Sequence, residues 1–226
     1  MTKQALVTGG NRGLGLEVCK ALAAQGIKIL LGCRDIMKGR EIAASIAGDV
    51  EAVYIDLAHS GKLRAQAKAV LRDHGPIDIL VNNGAILKNG TILETKGKDF
   101  YDSVQVNLIA AFDLIQIIVP GMVDRGYGRI VNVTSDWGSF ADGLTGPVSY
   151  SVTKAALNAL TMNMAHSMPD NVKVNSVHPG WLKTEMGGAA APLTAADGAE
   201  TVVWLATLPD AGPNGGFFHL KTNKAW

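Results

Sequence analysis

Tyr150 and Lys154, in the stretch GPVSYSVTKAALNALT, place a phenol and an ammonium four residues apart. On a helix such positions share a face, so the two groups stand side by side. A phenol in water titrates near about 10. A cation one helical turn away favours the phenolate and lowers that value. Hydride transfer to a carbonyl builds negative charge on oxygen, and that charge needs a proton donor and a fixed polar partner. The pair has the types and spacing for this chemistry, but an amphipathic surface helix would carry the same two residues.

The elements that must position the pair alternate along the chain. Short aliphatic runs at 5–7, 28–32, 52–55, 77–81, 128–133, 172–177 and, weakly, 216–218 read as strands. Helical patterns lie between them at 13–25, 36–46, 60–73, 98–125, 147–167 and 194–207. Strands that are apolar throughout, each followed by a helix, predict a parallel sheet covered on both faces. The fold class expected is therefore α/β, a doubly wound Rossmann-type sheet of about seven strands, with ligands at the strand carboxyl ends. No linker or repeat divides the 226 residues, so one domain over 1–226 is expected.

The first strand runs into VTGGNRGLG, with Gly9, Gly13 and Gly15 where the chain must turn into a helix. Backbone N–H groups and a positive helix end there suit a pyrophosphate, and absent Cβ atoms permit close approach. The spacing differs from the commonest dinucleotide fingerprint, and a glycine-rich turn without ligand is the alternative. Strand two ends in LLGCRD, where a site preferring NAD tends to hold a carboxylate for the ribose. Arg34 stands there instead, and Arg12 lies in the glycine loop. Two guanidiniums suit the 2′-phosphate of NADP(H). Asp35 offers the competing reading, a surface salt bridge to Arg34.

TGGNRGLG, YIDLAH, LVNNGA, QVNLIAAF, GRIVNVTS, YSVTK and VNSVHPGWLKTEM follow one another in order from residue 4 to about 190. In this the chain resembles the short-chain dehydrogenase/reductase family, and within it the NADP(H)-dependent carbonyl reductases. The resemblance implies cofactor contacts along Gly9, Asn11, Arg12, Gly13, Leu14 and Gly15, and at Arg34. It implies that Asp56 binds the adenine amino group with the Leu57 backbone alongside. Asn82 would lie over the adenosine ribose with Gly84 next in the loop, and Pro179, Gly180 and Thr184 would flank the nicotinamide. It makes Tyr150 the acid in reduction and the base in oxidation, and Lys154 a ligand of the nicotinamide ribose. Ser135 would orient the substrate oxygen, and Asn107 would complete the site through a water relay. Alone, Asn107 reads as a helix polar residue bonding locally. The family's Asn-Asn-Ala-Gly is here Asn82-Asn83-Gly84-Ala85, which moves the residue best able to take positive φ by one position.

Composition narrows the partners. A formal net charge of +1 gives no footing for nucleic acid or a membrane surface. The apolar run 104–119, interrupted by Asn107, Asp113 and Gln116, reads as too short and too polar for a membrane span. With a first strand near residue 4 there is no room for a signal peptide, and Cys19 and Cys33 read as reduced thiols. A cytoplasmic location follows as the expectation. The five histidines lack ligand spacing, and no metal is expected. Trp137, Phe140, Leu144, Trp181, Leu182 and Met186 cluster around the loops of the expected site and favour a hydrophobic carbonyl or alcohol substrate. The resemblance also implies a homodimer or homotetramer. Two rivals stand beside the reductase: an NADP(H)-binding redox sensor, and a reductase of carrier-bound or steroid-like substrates.

Overall fold

The computed structural model describes residues 2–226. Its elements run β1 (Gln4–Thr8), α1 (Gly13–Ala23), β2 (Lys28–Cys33), α2 (Ile36–Ser45), β3 (Val50–Tyr54), α3 (Ser60–His74), β4 (Ile79–Asn82) and α4 (Gly97–Val104). A π-helical turn (Gln105–Ile109) joins α4 to α5 (Ala110–Arg125). Then come β5 (Gly128–Val133), a 3₁₀ turn (Asp136–Gly138), α6 (Val148–Ser167), β6 (Val172–Val177), α7 (Ala195–Ala206), β7 (Phe217–His219) and β8 (Thr222–Lys224). One sheet holds all the strands in the order β3-β2-β1-β4-β5-β6-β7-β8. Its pairs are parallel except for β7 with β8.

The central strands are apolar on both faces because both faces are covered. Ala5 and Val7 of β1 point into a core shared with α1 and α7. Leu6 between them points the other way, into a core shared with α3, α5 and α6. Ile79, Leu80 and Val81 of β4 divide in the same manner. On α5, Ala110, Leu114 and Ile118 recur at the helical period and are buried.

Two sequence expectations need correction. The sheet has an eighth strand: β8 is three polar residues, Thr-Asn-Lys, hydrogen-bonded to β7 as an antiparallel edge. The second concerns the apolar run at 104–119. It belongs to one continuous helical rod, Gly97–Arg125, of 29 residues, which is long and apolar enough to cross a bilayer. Half of its most apolar window is buried inside the molecule, where it covers the sheet. Asn107 and Asp113, taken as interruptions, are themselves buried and hydrogen-bonded.

Candidate active site

The strand order reverses between β1 and β4, and that switch point is where a doubly wound sheet holds its ligand. Thr8 ties the two strand ends together. Its hydroxyl donates to the Val81 carbonyl (3.3 Å) and accepts from the amides of Asn83 (3.0 Å) and Gly84 (2.9 Å). The Asn83 amide group donates back to the Thr8 carbonyl (2.8 Å). Neither residue was singled out from the sequence, although both lie inside the motifs TGGNRGLG and LVNNGA.

The glycine loop is a fitted cradle. Gly9 and Gly13 have φ of 63° and 51°, which only glycine takes freely. A Cβ at Gly15 would overlap the Gly9 carbonyl oxygen. The first turn of α1 has no side-chain cap and no acidic residue, so its amides and positive end are left to an anion. Leu14 packs into the core below, while Asn11 and the exposed Arg12 stand on the loop. Thr184 comes up against the loop, its methyl 3.3 Å from where a Gly13 Cβ would sit. These features fit the pyrophosphate of a dinucleotide.

At the end of β2, Asp35 does not pair with Arg34. Its carboxylate caps α2 by accepting from the Lys38 amide (3.1 Å), and Arg34 is exposed at the strand end. Arg12 is already engaged in an exposed ion pair with Glu185. Beyond β3, one carboxylate oxygen of Asp56 accepts from the Ala58 amide (3.1 Å), and its own amide donates to Gln66 (2.8 Å), which fixes the Asp56-Leu57 turn.

Two features define the loop after β4. The Asn82 side chain faces inward and donates to Asn132 on β5 (2.8 Å), while its own Oδ1 is buried without a hydrogen-bond partner. The exchanged Gly84 and Ala85 also prove harmless to the backbone, because neither takes a positive φ. What glycine provides at position 84 is space, since a Cβ there would lie 2.5 Å from Cδ1 of Leu57.

The chemical end gathers at the carboxyl end of β5. Lys154, on α6, is buried and its Nζ donates to the Val133 carbonyl (2.7 Å). Burial pushes its pKa down to about 7. Tyr150 lies one turn back, with the lysine Nζ 5.4 Å from its ring centre. The lysine was expected to lower the phenol's pKa. The protein's own groups raise it instead, first through burial and then through the nearby charge of Asp136. A lysine that burial itself brings close to neutrality supplies little field against those two effects.

Ser135 caps the 3₁₀ turn: its Oγ accepts from the Trp137 amide (3.1 Å) and donates to Oδ1 of Asp136 (2.8 Å). The Trp137 ring stands edge-on to Tyr150 at 88°, with centres 6.1 Å apart, and so joins the serine turn to the tyrosine helix. The turn packs tightly on α6, and a Cβ at Gly138 would lie 2.7 Å from the Lys154 backbone. Asn107 sits in the π-helical turn, a break in regular helix often found at functional sites. Its carboxamide clasps Ile86, accepting from the amide (2.8 Å) and donating to the carbonyl (3.0 Å), and donates to Thr153 of α6 (3.2 Å). A small internal cavity is lined by Thr8, Asn82, Asn107 and Lys154 among others.

After β6, Pro179 leads into Gly180, whose φ of 94° turns the chain and whose missing Cβ leaves room for Leu193. Of the expected apolar wall, Phe140, Trp181 and Met186 are exposed and Trp137 is partly so. Leu182 belongs instead to the core shared with α7. Asp136 was missed, and the available signal was a carboxylate adjoining the candidate hydroxyl in VTSDWG.

Comparison with known proteins agrees with this geometry. Residues 3–193 match the short chain dehydrogenase family. The chain is 35% identical over 190 residues to 3-alpha-(or 20-beta)-hydroxysteroid dehydrogenase of Mycobacterium bovis, covering 81% of this chain and 70% of that one. It is 32% identical over 186 residues to the 3-oxoacyl-[acyl-carrier-protein] reductase FabG of Vibrio cholerae, covering 81% and 75%. Its fold is similar to that of the NADPH-bound carbonyl reductase from chicken fatty liver, with a TM-score of 0.87 at 28% identity, covering 100% and 99% of the two chains. The chain belongs to the short-chain dehydrogenase/reductase family of oxidoreductases.

Proposed function

We propose that this protein is an NADP(H)-dependent oxidoreductase that interconverts a hydrophobic ketone or aldehyde and its alcohol. The observation that carries the reading is the convergence of Ser135, Tyr150 and Lys154 on the end of β5, beside a glycine cradle at the switch point. A nicotinamide cofactor, when bound, would supply or accept the hydride. Tyr150, held as a phenol by burial and by Asp136, donates its proton to the developing alkoxide in reduction and takes one from the alcohol in oxidation. Ser135 fixes the substrate oxygen. Lys154 gives one N–H to Val133, and its remaining N–H groups, two when it is protonated, are left for a ribose hydroxyl and a proton relay. Asn107 holds α6 through Thr153 and borders the cavity beside Lys154.

Preference for NADP(H) rests on Arg34, exposed and left free by Asp35, and gains support from the NADPH in the carbonyl reductase to which the fold is similar. Relatives named for steroid and acyl-carrier substrates support carbonyl–alcohol chemistry without choosing the compound. The exposed aromatic rim of Phe140 and Trp181 favours a hydrophobic one. Exposed Tyr101 and Phe112 on the long rod and Val152 on α6 support assembly through those helices.

The decisive experiment follows NADPH and NADH consumption with a panel of ketones, aldehydes and quinones, with Tyr150→Phe as control. Turnover with NADPH that disappears in Tyr150→Phe supports the reading. Tight cofactor binding without turnover on any compound would favour the redox sensor instead.

A further inference from the structure

Resting on the reading of a hydrophobic carbonyl substrate, we propose that Lys224 and Trp226 are positioning residues that set substrate preference by fastening the loop between β5 and α6. That loop, residues 139–147, follows Ser135 and the 3₁₀ turn and carries Phe140, exposed at the rim of the site. It closes on itself: the Leu144 amide donates to the Ser139 carbonyl (3.2 Å) and the Gly143 amide to the Phe140 carbonyl (3.1 Å). Its tip is held from outside. The Ala141 amide donates to the main-chain oxygen of Trp226 (2.8 Å), and Lys224 pairs with Asp142 (3.1 Å). The Ser139 hydroxyl donates to the Ala225 carbonyl (3.4 Å). Among the described residues, every hydrogen bond or ion pair that leaves Ala141 or Asp142 for another part of the chain ends on residues 224–226.

The strand that delivers these contacts is built against local preference. β8 is polar, with Thr222 and Asn223 exposed, so it adds little to the core. The turn before it, Leu220-Lys221, has φ of 48° and 61°. A two-residue hairpin turn with both φ positive is ordinarily made by Asn-Gly, and bulkier residues are strained there. Such strain persists only where surrounding contacts over-determine the backbone, and it gathers at functional sites. One anchor here is α7, where the Lys221 amide donates to the Thr201 hydroxyl (3.3 Å) and the Lys221 ammonium pairs with Glu200 (3.2 Å). The other anchor is the loop beside the site. Between them the Trp226 ring is stacked on buried Phe217, with centres 5.6 Å and planes 18° apart. Lys224 also holds the Asp142 carboxyl below the usual carboxylate range, so the pair stays charged at neutral pH. The segment is a strap from α7 to the loop. A wall already held in its binding shape loses no freedom when substrate arrives, and the strap gives Phe140 that advantage. Substrates large enough to touch the ring gain from it, and small ones do not.

The test compares acetophenone and butanone as probe substrates at saturating NADPH. Lys224→Met is expected to raise KM for acetophenone about fivefold, the scale of one aromatic contact, with kcat and the butanone KM unchanged. Lys224→Arg keeps the ion pair and is expected to restore the native KM. Exchanging the two charges, Asp142→Lys with Lys224→Asp, should recover most of the loss. Trp226→Ala is expected to shift the acetophenone KM in the same direction as Lys224→Met. In a Phe140→Ala background, Lys224→Met should leave both KM values where they were. Equal rises for the two ketones, or a rise that persists without Phe140, would overturn the proposal. Hydrogen exchange supplies a readout that needs no turnover. The Ala141 and Asp142 amides are expected to exchange faster in Lys224→Met while β5 and α6 keep their rates, and unchanged exchange would remove the strap. Absence of turnover on every carbonyl would instead sink the proposed function, an outcome that the exchange rates distinguish from a failed strap.

Discussion

The two ends of the site solve different problems with different parts of the chain. The cofactor end is made of backbone: glycines with φ of 63° and 51°, a bare helix N-terminus, and guanidiniums exposed at the rim. The chemical end is made of side chains sunk into the core, with Lys154 and Asn107 at 2% exposure and Ser135 at 8%. Backbone amides recognise a phosphate with no change of ionisation, so that end is tuned by shape and by surface charge. Buried titratable groups are shifted by desolvation, so the other end is tuned by burial. Substitutions at the first end should therefore register in cofactor affinity, and those at the second in rate and pH dependence.

The largest expected effect is at the chemical end. Tyr150→Phe removes the group proposed to transfer the proton and is expected to lower kcat by about 10²–10⁴-fold while leaving NADPH affinity nearly unchanged. Steady-state kinetics with a parallel cofactor titration check it. A comparable loss of NADPH binding would erase the division between the two ends.

Next in size is the pH dependence of stability. Lys154 is depressed to about 7 in the folded protein, against 10.5 for an ordinary lysine. Between those values the unfolded chain binds a proton that the folded one does not, so stability rises with pH across the window. Tyr150 works in the opposite direction above about 10, where the unfolded chain ionises and the partly exposed but desolvated phenol, its pKa raised, does not. Urea titrations should find stability increasing from pH 7 toward 10 by an amount on the order of a few kcal/mol. Lys154→Met should flatten that slope, and equal slopes in both proteins would show that the lysine does not feel its burial.

These contrasts also explain what was legible in the sequence. The cofactor end was readable because its requirements are local: glycine at 9, 13 and 15 announces backbone geometry directly. The doubly wound parallel sheet was readable from the alternation of apolar strands and helices, and Tyr150, Lys154 and Ser135 stood out by motif. What escaped depends on contacts distant in sequence. The inward turn of Asn82 is set by Asn132, fifty residues on. The raised Tyr150 depends on burial and on Asp136, not on its lysine neighbour. The π-helical turn around Asn107 leaves no periodic signature, and β8 is too short and polar to show one. The Gly84-Ala85 exchange suggested a dihedral problem, and the answer lay in the position of Leu57.

At the cofactor end the expected effects are smaller and fall on affinity. Arg34→Ser is expected to weaken NADPH binding by roughly 10–100-fold with little change for NADH, the loss of a charge-assisted phosphate contact. Glu185→Gln should move the balance the other way by about threefold, because it frees Arg12 from an exposed ion pair worth little by itself. Fluorescence titration with both cofactors separates the two variants. Equal losses of NADPH and NADH in Arg34→Ser would place the guanidinium away from the 2′-phosphate.

Gly84→Ala is the finest probe, because it restores the small residue usual in the family's loop without requiring a positive φ. The added methyl would meet Leu57 Cδ1 at 2.5 Å, the far end of a side chain that is itself only half-buried and able to turn away. The rotation changes the Asp56-Leu57 turn offered to an adenine but leaves β5 and α6 untouched. The expected result is a change in cofactor affinity of less than about fivefold, a loss of stability near 1 kcal/mol from local overpacking, and no change in kcat. A fall in kcat at saturating cofactor would mean that the loop after β4 is coupled to the buried chemistry through Thr8 and the cavity beside Lys154. The two ends would then behave as one unit rather than two.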